Sequence, residues 1–225
     1  MKRFVLVTNK KWHNQLFEDL RSEPNSEWIR ISQKEEFSYE CLVKLQPEYI
    51  FIPHWSYIIP PQIFENFRCV VFHMSDLPFG RGGSPLQNLI VRGLTDTKIS
   101  ATQVSEGIDT GDIYSKELLS LAGTAEEIFI RASKIINKMI HTIINEHLKP
   151  VPQSGSPTLF KRRKPDESNI QTLTELEQIY DYIRMLDCEG YPAAFIETEY
   201  FKFEFKRCSL KADGSIIADV RIVKK

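Results

Sequence analysis

Three short runs of the chain are apolar at every position: Phe4 to Val7, "YIFIP" at 49 to 53 and "CVVF" at 69 to 72. Strands of this kind bury both faces, as in the interior of a parallel sheet. Between them the period changes. After the break at Thr8-Asn9-Lys10-Lys11, residues Trp12, Leu16, Phe17 and Leu20 recur at helical spacing. Trp28 to Ile31 reads as a second strand, Phe37 to Leu45 as a helix introduced by Ser32, and "PQIFENF" as a short helix after a proline pair. The order strand, helix, strand, helix, strand predicts a doubly wound, Rossmann-like α/β domain, with ligand sites beyond the carboxyl ends of its strands. His73 falls at such an end.

Further along, "SPLQNLIVRGL" predicts a helix, "KISATQVS" a strand, and "EEIFIRASKIINKMIHTIINEHL" a long amphipathic helix covering the sheet. Residues 151–168 are rich in proline, serine and charge without periodicity, and read as a linker or loop excursion. Beyond them "LTELEQIYDYIRMLD" predicts a helix, and the remainder three short strands with a turn at Asp213-Gly214. The expected organisation is a main domain over 1–150, the excursion, and a small α+β subdomain over 169–225.

Composition narrows the function classes. With 29 basic and 30 acidic residues the formal net charge is −1, so no global field points to nucleic acid or an anionic membrane. No apolar run approaches the ~18 residues of a membrane span, and no signal-peptide core follows Met1, so a cytoplasmic protein is expected. Cys41, Cys69, Cys188 and Cys208 lack paired spacing and read as buried thiols, with no metal site expected.

The chemistry concentrates in two blocks. "FHMSDLPFGRGGSPLQ" delivers His73 and then a loop of proline and glycine; "EGIDTGDIY" at 106–114 sets Asp109 and Asp112 in a glycine-flanked turn. In this order and separation, over roughly residues 46 to 140, they resemble the signature of the folate-dependent formyltransferases, N-x-H-x-S-L-L-P-x-x-R-G-x-x-P-I-Q followed by x-E-G-x-D-T-G-D. The resemblance implies a Rossmann-like formyltransferase domain and 10-formyltetrahydrofolate as co-substrate. It implies that His73 polarises the formyl group and relays a proton, that Asp109 orients the imidazole, and that Pro78, Arg81, Gly82, Gly83 and Gln87 lie against the folate. One departure stands out. The family asparagine two positions before the histidine is Val71 here, which donates no hydrogen bond to an oxyanion. His54 and Ser75 are the candidates to replace it.

Two acceptors compete within this resemblance: methionyl-tRNA and a nucleotide-linked amino sugar. The tail of roughly 60 residues looks too small for the β-barrel domain of the tRNA enzymes, and the chain is neutral, although Lys161-Arg162-Arg163-Lys164 keeps a tRNA partner in view. The text "FHMSDLPFGRGGSPLQNLI" with "YDYIRMLDCEGYPAAF" further resembles a sub-branch holding an amino-sugar formyltransferase of pseudaminic-acid-type pathways and a gramicidin-synthetase formylation domain. The expectation is therefore a sugar N-formyltransferase acting on a UDP-linked 4-amino-4,6-dideoxy-N-acetyl sugar, with no nucleic-acid or membrane partner. A non-catalytic folate-binding module is the remaining alternative. Asn9, Lys10, Lys11 and Trp12 are the expected nucleotide-sugar contacts, and the alternating stretch "FIETEYFKFEFKR" is suited to pairing two chains as a homodimer.

Overall fold

The computed structural model describes all 225 residues. In chain order the elements are β1 (Lys2–Val7), α1 (Asn14–Arg21), β2 (Ser26–Ile31), α2 (Tyr39–Leu45), β3 (Tyr49–Pro53), α3 (Pro61–Phe64), β4 (Cys69–His73), β5 (Arg81–Gly82), α4 (Pro85–Val91), β6 (Asp96–Gln103) and β7 (Ile113–Ser120). They continue with α5 (Ala125–Asn145), β8 (Leu159–Phe160), α6 (Leu176–Arg184), β9 (Ala194–Glu197), β10 (Phe201–Leu210) and β11 (Ile216–Lys224). Single 3-10 turns at Lys11–His13 and Pro165–Ser168 complete the set. No helix is long and apolar enough to cross a membrane.

Six strands form one sheet in the order β2-β1-β3-β4-β6-β7. The first three neighbouring pairs are parallel, as the apolar runs predict, whereas β6 lies antiparallel to β4 with Val70 opposite Gln103 and His73 opposite Ser100. The expected Rossmann-like α/β domain is therefore present, with four of the six strands mutually parallel and β6 the departure. An apolar alternation reads the same in either direction, so periodicity carries no information about orientation.

The two faces have different chemistry because strand side chains alternate. On one face Phe4, Trp28, Phe51 and Phe72 make a row of rings, with centroid separations of 4.8 Å for Phe4–Trp28, 5.8 Å for Trp28–Phe51 and 6.3 Å for Phe51–Phe72. Phe51 is fully buried; truncating such a ring to alanine costs ~3–5 kcal/mol. On the other face Val5, Val7, Ile50, Ile52 and Cys69 pack with Leu42 of α2, and Val71 packs against them. His73, two residues on, shares the side of Val71.

The helix expected from Ser32 starts later. Ser38 is its N-cap, its Oγ accepting from the Cys41 amide at 3.3 Å, and Phe37 is buried ahead of the helix as a core residue. β7 is an additional strand, and in α5 Ile128, Ala132, Ile136, Met139 and Ile143 are buried at helical spacing.

Contacts divide the chain into two compact units with discontinuous sequence. The first holds 1–82, 98–119 and 130–159; the second holds 83–97, 120–129 and 160–225. In the first unit the proline-rich excursion is an ordered return: Val151 exchanges backbone hydrogen bonds with Ile113, and the Thr158 carbonyl accepts from the amides of Gly80 and Arg81. In the second unit β11, β10 and β9 form an antiparallel sheet whose β10–β11 pairing shifts register between Lys206 and Ser209. Arg184 at the end of α6 is buried there, its guanidinium donating to the carbonyls of Leu121 and Gly123.

Candidate active site

β4 ends at His73, and the chain then folds back as the loop 74–82, so that its carbonyls meet the imidazole. His73 Nε2 donates to the Gly80 carbonyl at 2.7 Å, and Nδ1 faces Asp109 Oδ2 at 3.4 Å. Both ring nitrogens thus face acceptors, and the imidazole is buried. Ser75 Oγ donates to the same Gly80 carbonyl at 3.2 Å. The loop is braced from beneath: Ser100 Oγ donates to the Ser75 carbonyl at 2.7 Å and accepts from the Leu77 amide at 3.2 Å, ahead of a cis Leu77–Pro78 bond. On its outer side Asp76 is paired with Lys98 and Lys116, whose hydrogen bonds and charge hold its carboxyl below the usual range against the opposing effect of burial.

Asp109 comes from the turn between β6 and β7. Its φ is 53°, a left-handed conformation that aspartate tolerates better than most residues, and this aims the carboxylate back at the loop. The Gly82 amide donates to Asp109 Oδ2 at 2.9 Å. Two glycines permit the turn. A Cβ on Gly111 would sit 1.7 Å from the Gln103 carbonyl, and Gly107 adopts a φ of 94°.

Sequence reasoning missed Gln153, in the stretch taken for a linker. Its Oε1 accepts from Arg81 Nε and Nη2 at 3.2 and 2.8 Å, and its Nε2 donates to the carbonyls of Asp109 and Gly111 at 2.9 and 2.8 Å. One amide thereby joins Arg81 of the loop to the Asp109 turn. No periodicity marks such a residue; only its proximity in the fold does.

A second imidazole group lies beside the first. Pro53 of β3 pairs with Phe72 of β4, and the next residues along the two chains are His54 and His73. His54 leaves the strand at a φ of 53°. Its Nδ1 is 2.8 Å from His13 Nε2, its Nε2 is 2.9 Å from Met74 Sδ, and His13 Nδ1 is 2.8 Å from Ser133 Oγ of α5. Burial, assisted by the charge of Lys10 and by His73, pulls His54 down to about 3; burial and the neighbouring His54, Arg30 and Lys10 lower His13 in the same direction. Both rings are neutral at physiological pH. Trp12 stands edge-on to His54 with centroids 5.8 Å apart, and Lys10 Nζ lies 5.5 Å from the Trp12 ring centre. Asn9 and Lys11 are exposed.

Two residues expected at the folate are occupied differently. Gln87 is buried within α4 and donates to the Met185 carbonyl at 3.1 Å, so its amide is committed to packing within the second unit. Gly83 is where the chain passes Arg162: an added Cβ would lie 2.6 Å from Arg162 Cβ. Its lack of a side chain serves that crossing.

This arrangement, a strand-end histidine backed by a turn aspartate under a proline-glycine loop, coincides with a family match over 7–145 to the profile described as "Formyl transferase". The chain belongs to the formyl transferase family. Residues 165–223 match the profile "Methionyl-tRNA formyltransferase, C-terminal domain". A solved structure titled "Methionyl-tRNA formyltransferase from Clostridium thermocellum" is 52% identical, superposes with a TM-score of 0.97, and is covered over 100% of both chains. A curated relative, the methionyl-tRNA formyltransferase of Francisella philomiragia, is 28% identical over 194 residues, 82% of this chain and 62% of that protein. The chain spans about half the length of the curated relatives it matches, as with the 52% covered in Wolinella succinogenes.

These findings overturn the expected amino-sugar acceptor. A solved sugar N-formyltransferase from Shewanella is only 15% identical with a TM-score of 0.63, a likeness of fold alone. The nucleotide-sugar substrate and the pseudaminic-acid connection fall with that acceptor. The argument from tail size failed because the C-terminal-domain profile matches this short tail itself, so a small tail does not separate the two branches.

Proposed function

We propose that the chain transfers the formyl group of 10-formyltetrahydrofolate to the α-amine of methionyl-tRNA. The observation that carries the acceptor is end-to-end similarity, at 52% identity, to a protein titled methionyl-tRNA formyltransferase, together with the C-terminal match. The observation that carries the chemistry is the His73–Asp109 pair beneath the loop.

In the proposed reaction the neutral amine attacks the formyl carbon, the formyl oxygen takes up negative charge, and the carbon–nitrogen bond to folate N10 breaks as the new amide forms. One proton must travel from the attacking nitrogen to N10. His73 is the relay for that proton, and Asp109 holds its ring and balances the charge it carries in transit. Pro78, Arg81 and Gly82 form the folate side of the site, with Gln153 fixing Arg81 in place. Val71 supplies no donor, so we assign the oxyanion contact to His54 Nε2; Ser75 stays engaged with Gly80. For the tRNA, Lys161, Arg162 and Lys164 are exposed and available to phosphate, while Arg163 is tied down by its bond to the Glu167 carbonyl.

The test is mass spectrometry of methionyl-tRNA incubated with 10-formyltetrahydrofolate and the protein. Formylmethionine released from the tRNA, and lost with His73→Ala, supports the reading. Absence of formylation by the wild-type chain, with folate binding intact, removes it.

A further inference from the structure

We propose that His13 and Ser133 are positioning residues that hold His54 in the tautomer with its hydrogen on Nε2, so that it presents a donor where Val71 leaves none. The assignment of that donor to the reaction rests on the proposed formyl transfer; the tautomer itself does not.

Three contacts in series fix where the hydrogens sit. A thioether carries no hydrogen, so at the 2.9 Å contact with Met74 Sδ the hydrogen belongs to His54 Nε2. A neutral imidazole has one such hydrogen, hence His54 Nδ1 accepts, and its donor is His13 Nε2 at 2.8 Å. His13 Nδ1 must then accept, and the donor is the Ser133 hydroxyl at 2.8 Å. Each link has one solution while both rings are neutral, and the direction runs from helix α5 to the tip of β3. The low proton affinities of both histidines agree with this state.

The setting suits a positioning role. His13 is fully buried and Ser133 nearly so, which removes water as a competing partner. Beyond burial, Lys10 opposes a positive charge on both rings, Arg30 on His13 and His73 on His54. Sulfur is a weak acceptor, so the Nε2 hydrogen exchanges Met74 for a developing oxyanion at little cost. Val71 and His73 share one face of β4, and the β3–β4 register, Ile52 beside Val71 and Pro53 beside Phe72, brings His54 to the strand end next to His73, whose charge it feels.

Ser133→Ala removes the first donor and frees His13 to reverse, and His13→Leu removes the link. His13→Gln restores it, because a glutamine amide donates and accepts. In ¹⁵N-labelled protein, long-range proton–nitrogen correlation spectra should show wild-type His54 with hydrogen on Nε2, a mixed population in Ser133→Ala, and recovery in His13→Gln relative to His13→Leu. Single-turnover formyl transfer should fall ~10²-fold in His13→Leu, the lower end of the range for loss of an oxyanion donor, and only ~10-fold in Ser133→Ala, where the donor tautomer stays partly populated, with Kd for the folate unchanged. A wild-type His54 with hydrogen on Nδ1, or variants whose tautomer is unaltered while the rate falls, overturns the proposal. A wild-type chain with the expected tautomer but no formyl transfer instead overturns the functional reading and leaves the positioning intact.

Discussion

Replacing Asp109 by asparagine separates its charge from its shape. The carboxylate has two partners at one oxygen, the Gly82 amide at 2.9 Å and His73 Nδ1 at 3.4 Å. Asparagine keeps an acceptor for Gly82 and loses the charge that faces the imidazole. At 3.4 Å and an effective dielectric of about 20, a full carboxylate–imidazolium attraction is ~5 kcal/mol. Hydration of the separated ions offsets ~2–3.5 kcal/mol of this, leaving ~1.5–3 kcal/mol, the range of a hydrogen bond to a charged group. If that attraction is felt only while His73 carries the travelling proton, the rate falls roughly 10- to 150-fold, at about 1.4 kcal/mol per decade. The assay is single-turnover formylation of methionyl-tRNA at saturating folate, beside a urea melt. Asp109→Asn should melt within ~1 kcal/mol of wild type because the Gly82 contact survives. Full transfer activity would refute the relay. A large stability loss with a proportionate activity loss would show that the turn, and not the charge, is what Asp109 supplies.

Gln153→Glu places an acceptor against the carbonyls of Asp109 and Gly111, so we expect a loss of ~1–3 kcal/mol and a ~10-fold lower transfer rate; wild-type melting and turnover would refute the role given to Gln153. Gly111→Ala forces a Cβ to within 1.7 Å of the Gln103 carbonyl and should destabilise by ~3 kcal/mol, the upper end of the overpacking range, in a denaturant titration, whereas a fold that accepts it unchanged would contradict the turn geometry. Stability should fall as pH decreases below about 6.5, because the unfolded chain protonates His54 there while the folded one resists until about 3. The slope is ~1.4 kcal/mol per pH unit for one such group, with His13 acting in the same direction. The difference in urea midpoint between pH 7.5 and 5.5 should shrink in His54→Asn, and an unchanged difference would show that His54 contributes nothing to it.

His73, the loop behind it and Asp109 were legible because each is announced locally: an apolar run that ends in histidine, a cluster of proline and glycine, and a turn of aspartate and glycine. Parallel β1, β2, β3 and β4 were legible for the same reason. What escaped depends on distance in space. Ile113–Ser120 mixes lysine and glutamate with its apolar residues and carries too weak an alternation to declare β7. Gln153 lies in a segment whose composition suits an open linker, and the Val151–Ile113 bridge on one side and the β5–β8 pairing on the other bring it home. His13 carries no local signal ahead of its helix, and nothing in its neighbours forecasts Ser133, 120 residues away. The acceptor was misjudged for a different reason: tail length and net charge describe size and average field, and neither describes a recognition surface.

The return of the chain through Val151, Gln153 and Thr158 bears on modularity. Cutting the sequence at the end of its long helix yields a piece that contains both His73 and Asp109 and looks catalytically complete. That piece lacks the amide joining Arg81 to the aspartate turn and the carbonyl receiving the amides of Gly80 and Arg81. A minimal catalytic fragment must therefore run through residue 159, the last of its unit, and a graft that swaps 151–158 for a flexible spacer would keep the connection while releasing the loop that covers the histidine.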